Sequence, residues 1–231
     1  MNEGTHGTSV DRVHGALREN ILSGTYAPGS RLILSRLAQE HDVSFIPVRE
    51  ALQRLEAERM VAIEPNRGAT VTGISIEDMR DIYETRLVLE DHAIRAAVAG
   101  NSPTEMRRSE SALRSMRSHF RDGDDPAAYA AHQDFHFSLY EVSGSTWTVH
   151  LLRQLWASAE RYVRLAAGVR PDPALFVAEH EEILAAVKEG DADAAAARLA
   201  DNLRTTETLL AATYRSDPDE APPTAAAEPR G

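Results

Sequence analysis

His132 and His136 stand four residues apart in AAHQDFHFSLY, a spacing that brings two imidazoles to one side of a helix and within reach of one ion. Tyr129, Phe135 and Leu139 share that side, so the pair sits on an apolar face. His180 stands among Phe176, Ile183, Leu184 and Val187, and Asn202 among Leu199, Leu203 and Thr206. A buried imidazole needs a partner, which is either a neighbouring hydrogen-bonding group or a metal ion. The chain has no cysteine, so a metal here must use His, Asp, Glu or Asn. Asp134 is excluded, because two residues before His136 it points about 160° away on a helix. Arg86 and Glu90 are also four apart, among Met79, Ile82 and Ala93. Arg86 is a suitable bidentate partner for a carboxylate effector, oriented by Glu90; the alternative is an ordinary exposed ion pair. Arg153, Arg161 and Arg164 are further candidates for that carboxylate but read first as solvated surface, and Trp147 and Trp156 read as core before stacking platforms.

A second group lies nearer the N-terminus. Arg49 and Gln53 fall on one face of the segment FIPVREALQRLEA together with Ile46 and Glu50, opposite an apolar stripe of Val48, Ala51, Leu52 and Leu55. Arg can make a bidentate contact with guanine and Gln with adenine when such a helix enters the major groove. The surrounding elements fit that use. Val10, Val13, Leu17 and Ile21 mark a first helix that stops at Gly24. Ser35 is placed to cap a short second helix, with Arg31 and Arg36 at its start facing phosphates, and Ser44 to cap the third, with Pro47 in its first turn. Met60–Ile63 and Ala69–Thr72 then read as a hairpin around Pro65-Asn66-Arg67-Gly68, its Arg67 aimed at a minor groove. Three helices and this hairpin predict a winged helix-turn-helix over residues 9–73, preceded by a disordered stretch at 1–8.

Residues 75–214 read as six helices. Ser75 with Asp78, Ser102-Pro103 with Glu105, Asp125-Pro126, Asp172 and Asp191 are start signals, and Gly100, Gly123, Gly144, Gly168 and Gly190 are stops. The fold class is therefore mainly α, a winged helix-turn-helix followed by an antiparallel all-α bundle. Residues 216–231 are expected to be a disordered tail.

Charge separates the halves. The 231 residues carry 25 Lys plus Arg against 36 Asp plus Glu; residues 1–75 have net charge −1 and the remainder −10. Nucleic acid is thus expected at the N-terminal part alone. All basic residues but Lys188 are Arg, the forked donor suited to phosphates and guanine. No apolar run approaches the roughly 18 residues of a membrane span, and the start lacks a signal-peptide core, so a cytoplasmic location without membrane contact is expected.

Leu17-Arg18-Glu19-Asn20-Ile21-Leu22-Ser23-Gly24, Pro28-Gly29-Ser30-Arg31-Leu32, Pro47-Val48-Arg49-Glu50-Ala51-Leu52 and Arg67-Gly68-Ala69-Thr70-Val71 resemble the N-terminal domain of GntR-family transcriptional regulators. The resemblance implies a DNA-facing set of Arg31, Arg36, Ser44, Phe45, Arg49, Gln53, Arg67 and Gly68. Members usually carry Arg directly after the serine of this motif; here Phe45 stands there, and that arginine's contact is lost. The C-terminal half is similar to the FCD sensor domain of the FadR-type subfamily, through Glu84–Glu90, His132–His136, Glu179–Leu184 and Glu189–Ala195. Many such domains hold a divalent metal with one Asp and three His, and the metal helps to hold a carboxylate. By position His136 and His180 match two of those histidines, His132 replaces the Asp, and Asn202 replaces the last His. The implied metal set is His132, His136, His180 and Asn202, for Zn, Ni or Mn, and the implied effector set Arg86, Glu90 and Asn202.

The expected protein is a homodimeric DNA-binding repressor that recognises operator DNA and responds to a small organic acid, and not an enzyme. The alternatives are a metal-dependent hydrolase or lyase, which lacks a clear general base, an acyl-CoA-responsive regulator without metal, and a helical adaptor.

Overall fold

The computed structural model describes residues 8–64, 68–100, 102–169 and 172–214. Arg67, the tail at 216–231 and the N-terminal stretch short of Thr8 lie outside them. The chain divides into two units, the first ending at Ser75 and the second starting at Ile76.

The first unit runs α1 (Ser9–Leu22), β1 (Arg31–Leu32), α2 (Leu34–Glu40), α3 (Phe45–Ala57), β2 (Val61–Glu64) and β3 (Gly68–Val71). Thr8 is ordered: its hydroxyl accepts from Asp11 N, and the Asp11 carboxylate accepts from Thr8 N, a reciprocal cap for α1. Val13 and Leu17 of α1, Leu37 and Ala38 of α2, and Val48, Ala51, Leu52 and Leu55 of α3 close the core with Leu32, Met60, Val61, Ala69 and Val71. Between α2 and α3 Asp42 takes φ 51, and Val43 N donates to Ala38 O at 3.0 Å, which ends α2 in a left-handed turn that a short polar side chain tolerates.

Three local expectations are corrected. The hairpin is part of a three-stranded antiparallel sheet of order β1-β3-β2, with Arg31 opposite Thr70 and Val61 opposite Val71. Arg31 therefore belongs to a strand and not to the start of α2. Gly68 makes this possible: it adopts φ +90, and a Cβ there would meet the Leu32 carbonyl oxygen at 3.2 Å. Ser35 lies inside α2, whose N-cap is Ile33, because Leu37 N already donates to Ile33 O at 3.0 Å.

The second unit runs α4 (Ile76–Ala99), α5 (Pro103–Asp122), α6 (Asp125–Tyr140), a 3-10 turn (Glu141–Ser143), α7 (Thr146–Val169), α8 (Pro173–Glu189) and α9 (Ala192–Tyr214). Ser102 and Asp172 cap α5 and α8 with their side chains, each followed by Pro at the first helical position, and Gly123 and Gly190 end those helices in the left-handed conformation. Asp124, one residue earlier than expected, caps α6, accepting from Ala127 N at 3.2 Å. Gly144 ends the 3-10 turn instead of α6 itself. Short turns make α5 and α6, and α8 and α9, packed neighbours, while α4 lies against α7 and α9.

Candidate functional site

Two sets of side chains are candidates, one on a surface and one in an interior. On α3, Pro47, Val48, Ala51, Leu52 and Leu55 face the core, so helical geometry turns Phe45, Ile46, Arg49, Glu50 and Gln53 outward. Ser44 is the N-cap of α3 but makes no capping bond through its side chain. Arg31 and Arg36 are exposed, and Arg36 pairs with Glu40 across one helical turn at 3.3 Å. Gly68 is exposed where β3 begins.

In the second unit α6 brings His132 and His136, α8 brings His180, and all three are buried. One ring nitrogen from each lies within 4.8 Å of the others. The bonds around them set the tautomers. His180 Nδ1 lies 2.6 Å from Phe176 O, and a carbonyl only accepts, so Nδ1 carries the proton. Tyr140 spends its hydroxyl proton on Glu90 Oε2 at 2.5 Å, so its oxygen accepts from His136 Nδ1 at 3.0 Å. With both rings neutral, both Nε2 atoms bear lone pairs, and the two atoms face each other at 3.0 Å. Burial, and next His132, His180 and Arg86, push the pKa of His136 well below its usual value and so favour its neutral ring. Convergent imidazole lone pairs whose other nitrogens are held by a carbonyl and by a tyrosine–carboxylate pair suit a divalent first-row ion. The donor set fits the metal that the sequence resemblance implies.

Next to this cluster lies a buried ion pair. Arg86 Nε donates to Glu90 Oε1 at 2.7 Å, and Trp156 Nε1 donates to the same oxygen at 3.0 Å. The guanidinium lies 4.4 Å from the Trp156 ring and 4.9 Å from that of Tyr83. Burial works against its charge, but Glu90, with Tyr83 and Tyr140, outweighs this and keeps its pKa above the ordinary value. Arg86 Nη1 and Tyr83 Oη are buried and have no hydrogen-bond partner among the described residues. Such orphaned donors are costly, and an arginine with one nitrogen held and another open is fit to take a carboxylate oxygen.

Asn202, the implied fourth ligand, is buried, and its amide nitrogen donates to Glu179 Oε2 at 2.6 Å, a bond that does not engage the amide oxygen through which it would ligate a metal. Other expected placements change. Arg161 is not surface: it is buried beside Tyr162, with Asp78 at 3.6 Å. Arg164 is half-buried on Glu160, and Arg153 is exposed on Glu141. Trp156 is core, but Trp147 is exposed. Tyr140 was missed as a site residue, although its position four after His136 puts it on the same helix face, where a buried hydroxyl must find a partner. Tyr83, three before Arg86, gave the same signal.

The sequence model of "Bacterial regulatory proteins, gntR family" matches residues 9–71, and that of the FCD domain matches residues 81–205. The HTH-type transcriptional regulator BphR of Paraburkholderia xenovorans (strain LB400) is 39% identical over 175 residues, covering 73% of this chain and 70% of BphR. The gluconate operon transcriptional repressor of Bacillus licheniformis is 27% identical over 191 residues, 79% of this chain and 76% of that one. A crystal structure of a GntR transcriptional regulator from Rhodococcus sp. RHA1 superposes with a TM-score of 0.73 at 30% identity, over 89% of this chain and 99% of that one. With an exposed Arg/Gln helix face in a winged helix-turn-helix, and a histidine cluster inside a helical second unit, the chain belongs to the GntR family of transcriptional regulators, and within it carries an FCD domain.

Proposed function

We propose that the protein is a homodimeric repressor whose affinity for operator DNA is set by a small carboxylate bound at the centre of the FCD domain. The observation that carries the sensing half is the approach of His136 Nε2 to His180 Nε2 at 3.0 Å with both Nδ1 protons committed elsewhere. His132, His136 and His180 would hold a divalent ion such as Zn, Ni or Mn, which when bound supplies a Lewis-acid position for a carboxylate oxygen. Asn202, whose amide nitrogen donates to Glu179, would add at most its amide oxygen, a poorer ligand for Zn²⁺ than an imidazole, so the three histidines carry the site. Glu90 fixes Arg86 through Nε, Tyr140 and Trp156 fix Glu90, and Arg86 Nη1 takes the second carboxylate oxygen. The polar lining favours a small, polar acid over a long acyl chain.

Arg49 and Gln53 read base edges, Arg31, Arg36 and Ser44 meet phosphates, and dimerisation supplies two such helices for a two-fold operator. Repression is supported by likeness to the gluconate operon repressor. An effector changes DNA affinity only by binding the DNA-competent and DNA-free forms unequally.

Elemental mass spectrometry on tag-free protein tests the reading. We expect about one ion per protomer, lost in His136→Ala, and a thermal shift with di- and hydroxycarboxylates that Arg86→Ala abolishes. Protein that takes up no metal after incubation with Zn²⁺, Ni²⁺ or Mn²⁺ would overturn the ligand set.

A further inference from the structure

We propose that Phe45 and Ile46 are specificity residues that read the C5-methyl groups of thymine next to the base contacted by Arg49. Phe45 is 54% exposed and Ile46 67% exposed, at the first two positions of α3. Among the described residues of this unit the only other large apolar side chain so exposed is Ile33, which precedes α2 and lies off this helix. Pro47 and Val48, the next two residues, are buried in the core and fix the start of α3, so Phe45 and Ile46 cannot turn inward. Phe45 is four residues and Ile46 three residues before Arg49, which stacks both one helical turn N-terminal to that arginine on the same face.

The N-terminal residues of a recognition helix are the ones that reach base edges. In the major groove those edges offer hydrogen-bond donors and acceptors, and one apolar group, the thymine methyl. A phenyl ring and a sec-butyl group can satisfy neither a phosphate nor a polar base edge, so the groove position that they occupy without loss is one walled by methyls. One helical turn rises about 5.4 Å, and base pairs are about 3.4 Å apart, which places the thymine about one or two base pairs from the guanine that Arg49 reads. The substitution of Phe45 for the arginine of the family motif is on this reading an exchange of one contact for another, and not a gap.

The inference rests on the DNA-binding reading, and the experiment separates the two. An operator is selected from a random double-stranded library with the full chain, and its half-site thymidines are replaced one at a time by 2′-deoxyuridine, which removes only the methyl. We expect one or two positions at which uracil weakens binding about fourfold each, the worth of a buried methyl group. The Phe45→Ala/Ile46→Ala variant should bind both operators alike, whereas Arg49→Ala, weaker overall, should keep the thymine-to-uracil ratio, and Phe45→Leu should keep most of it. Equal binding of thymine and uracil operators by the unaltered protein overturns the proposal with no variant needed, as does a ratio that survives in the double variant. A library that yields no enriched sequence overturns the DNA-binding reading and this one together.

Discussion

The two units place their polar chemistry on opposite sides of their surfaces. Among the described residues the first buries no charged or polar side chain, and Arg31, Arg36, Arg49 and Gln53 all face outward from an apolar core of Val13, Leu17, Leu37, Leu55 and their neighbours. The second buries Arg86, Glu90, His132, His136 and His180 together, beside its apolar core. A surface residue can be exchanged with little effect on folding, because water replaces whatever it touched. A buried charge must be answered inside the protein, so each member of the second network, a binding group on the proposed reading, is also a structural one. In the first unit stability and recognition are therefore separable; in the second they are coupled.

The sharpest way to break this contrast is Glu90→Ala. It leaves the Arg86 charge and the Tyr140 and Trp156 donors buried without their acceptor, and should cost about 3 to 5 kcal/mol in urea-induced unfolding of the second unit. A loss below 1 kcal/mol, of the order usual for an exposed ion pair, would show that water reaches this network. Arg49→Ala should do the reverse, costing about 1 to 3 kcal/mol in operator binding while leaving the unfolding midpoint where it was. Unchanged operator affinity would remove Arg49 from the base-reading set.

A third test uses protons. His136 has its pKa pushed well below 6.5 by burial and then by His132, His180 and Arg86. The unfolded chain takes up a proton below about pH 6.5 that the folded form refuses, so the stability of chelator-treated protein should fall as pH drops through that value. The slope is about 1.4 kcal/mol per pH unit for one such group. His136→Phe should remove that share of the slope, and an identical pH profile would show that the folded ring is charged. The smallest effect is expected in the first unit: Thr8→Ala deletes the α1 cap at a cost of about 1 kcal/mol. It should lower the melting of that unit and leave the second unit's unaltered, and a shift in both would mean that the units unfold together.

Much of this was legible along the chain. The α3 stripe, the caps at Ser102, Asp172, Gly123 and Gly190, and the clustering of His132 with His136 all follow from 3.6-residue periodicity and from local bonding within one turn. What was not legible depended on partners far away in sequence. β1 is two residues long and exists because β3 offers it a ladder over a glycine without a side chain. Arg161 and Trp147 lie on the same helix, yet one is buried, near Asp78 of α4, and the other exposed, a difference that tertiary packing makes. Tyr140 became a site residue when α4 delivered Glu90 to its hydroxyl.

By itself the sequence determined the two-part architecture, the outward face of α3 and the histidines that converge in the second unit, because helix period and capping chemistry act over a few residues. The tertiary structure alone decided that His180 meets His136 nitrogen to nitrogen, that the Asn202 amide nitrogen donates to Glu179, and that among the described residues Arg86 is held by one nitrogen with another left open. Those outcomes depend on the distance and orientation between side chains on different helices, which packing sets and no local pattern encodes.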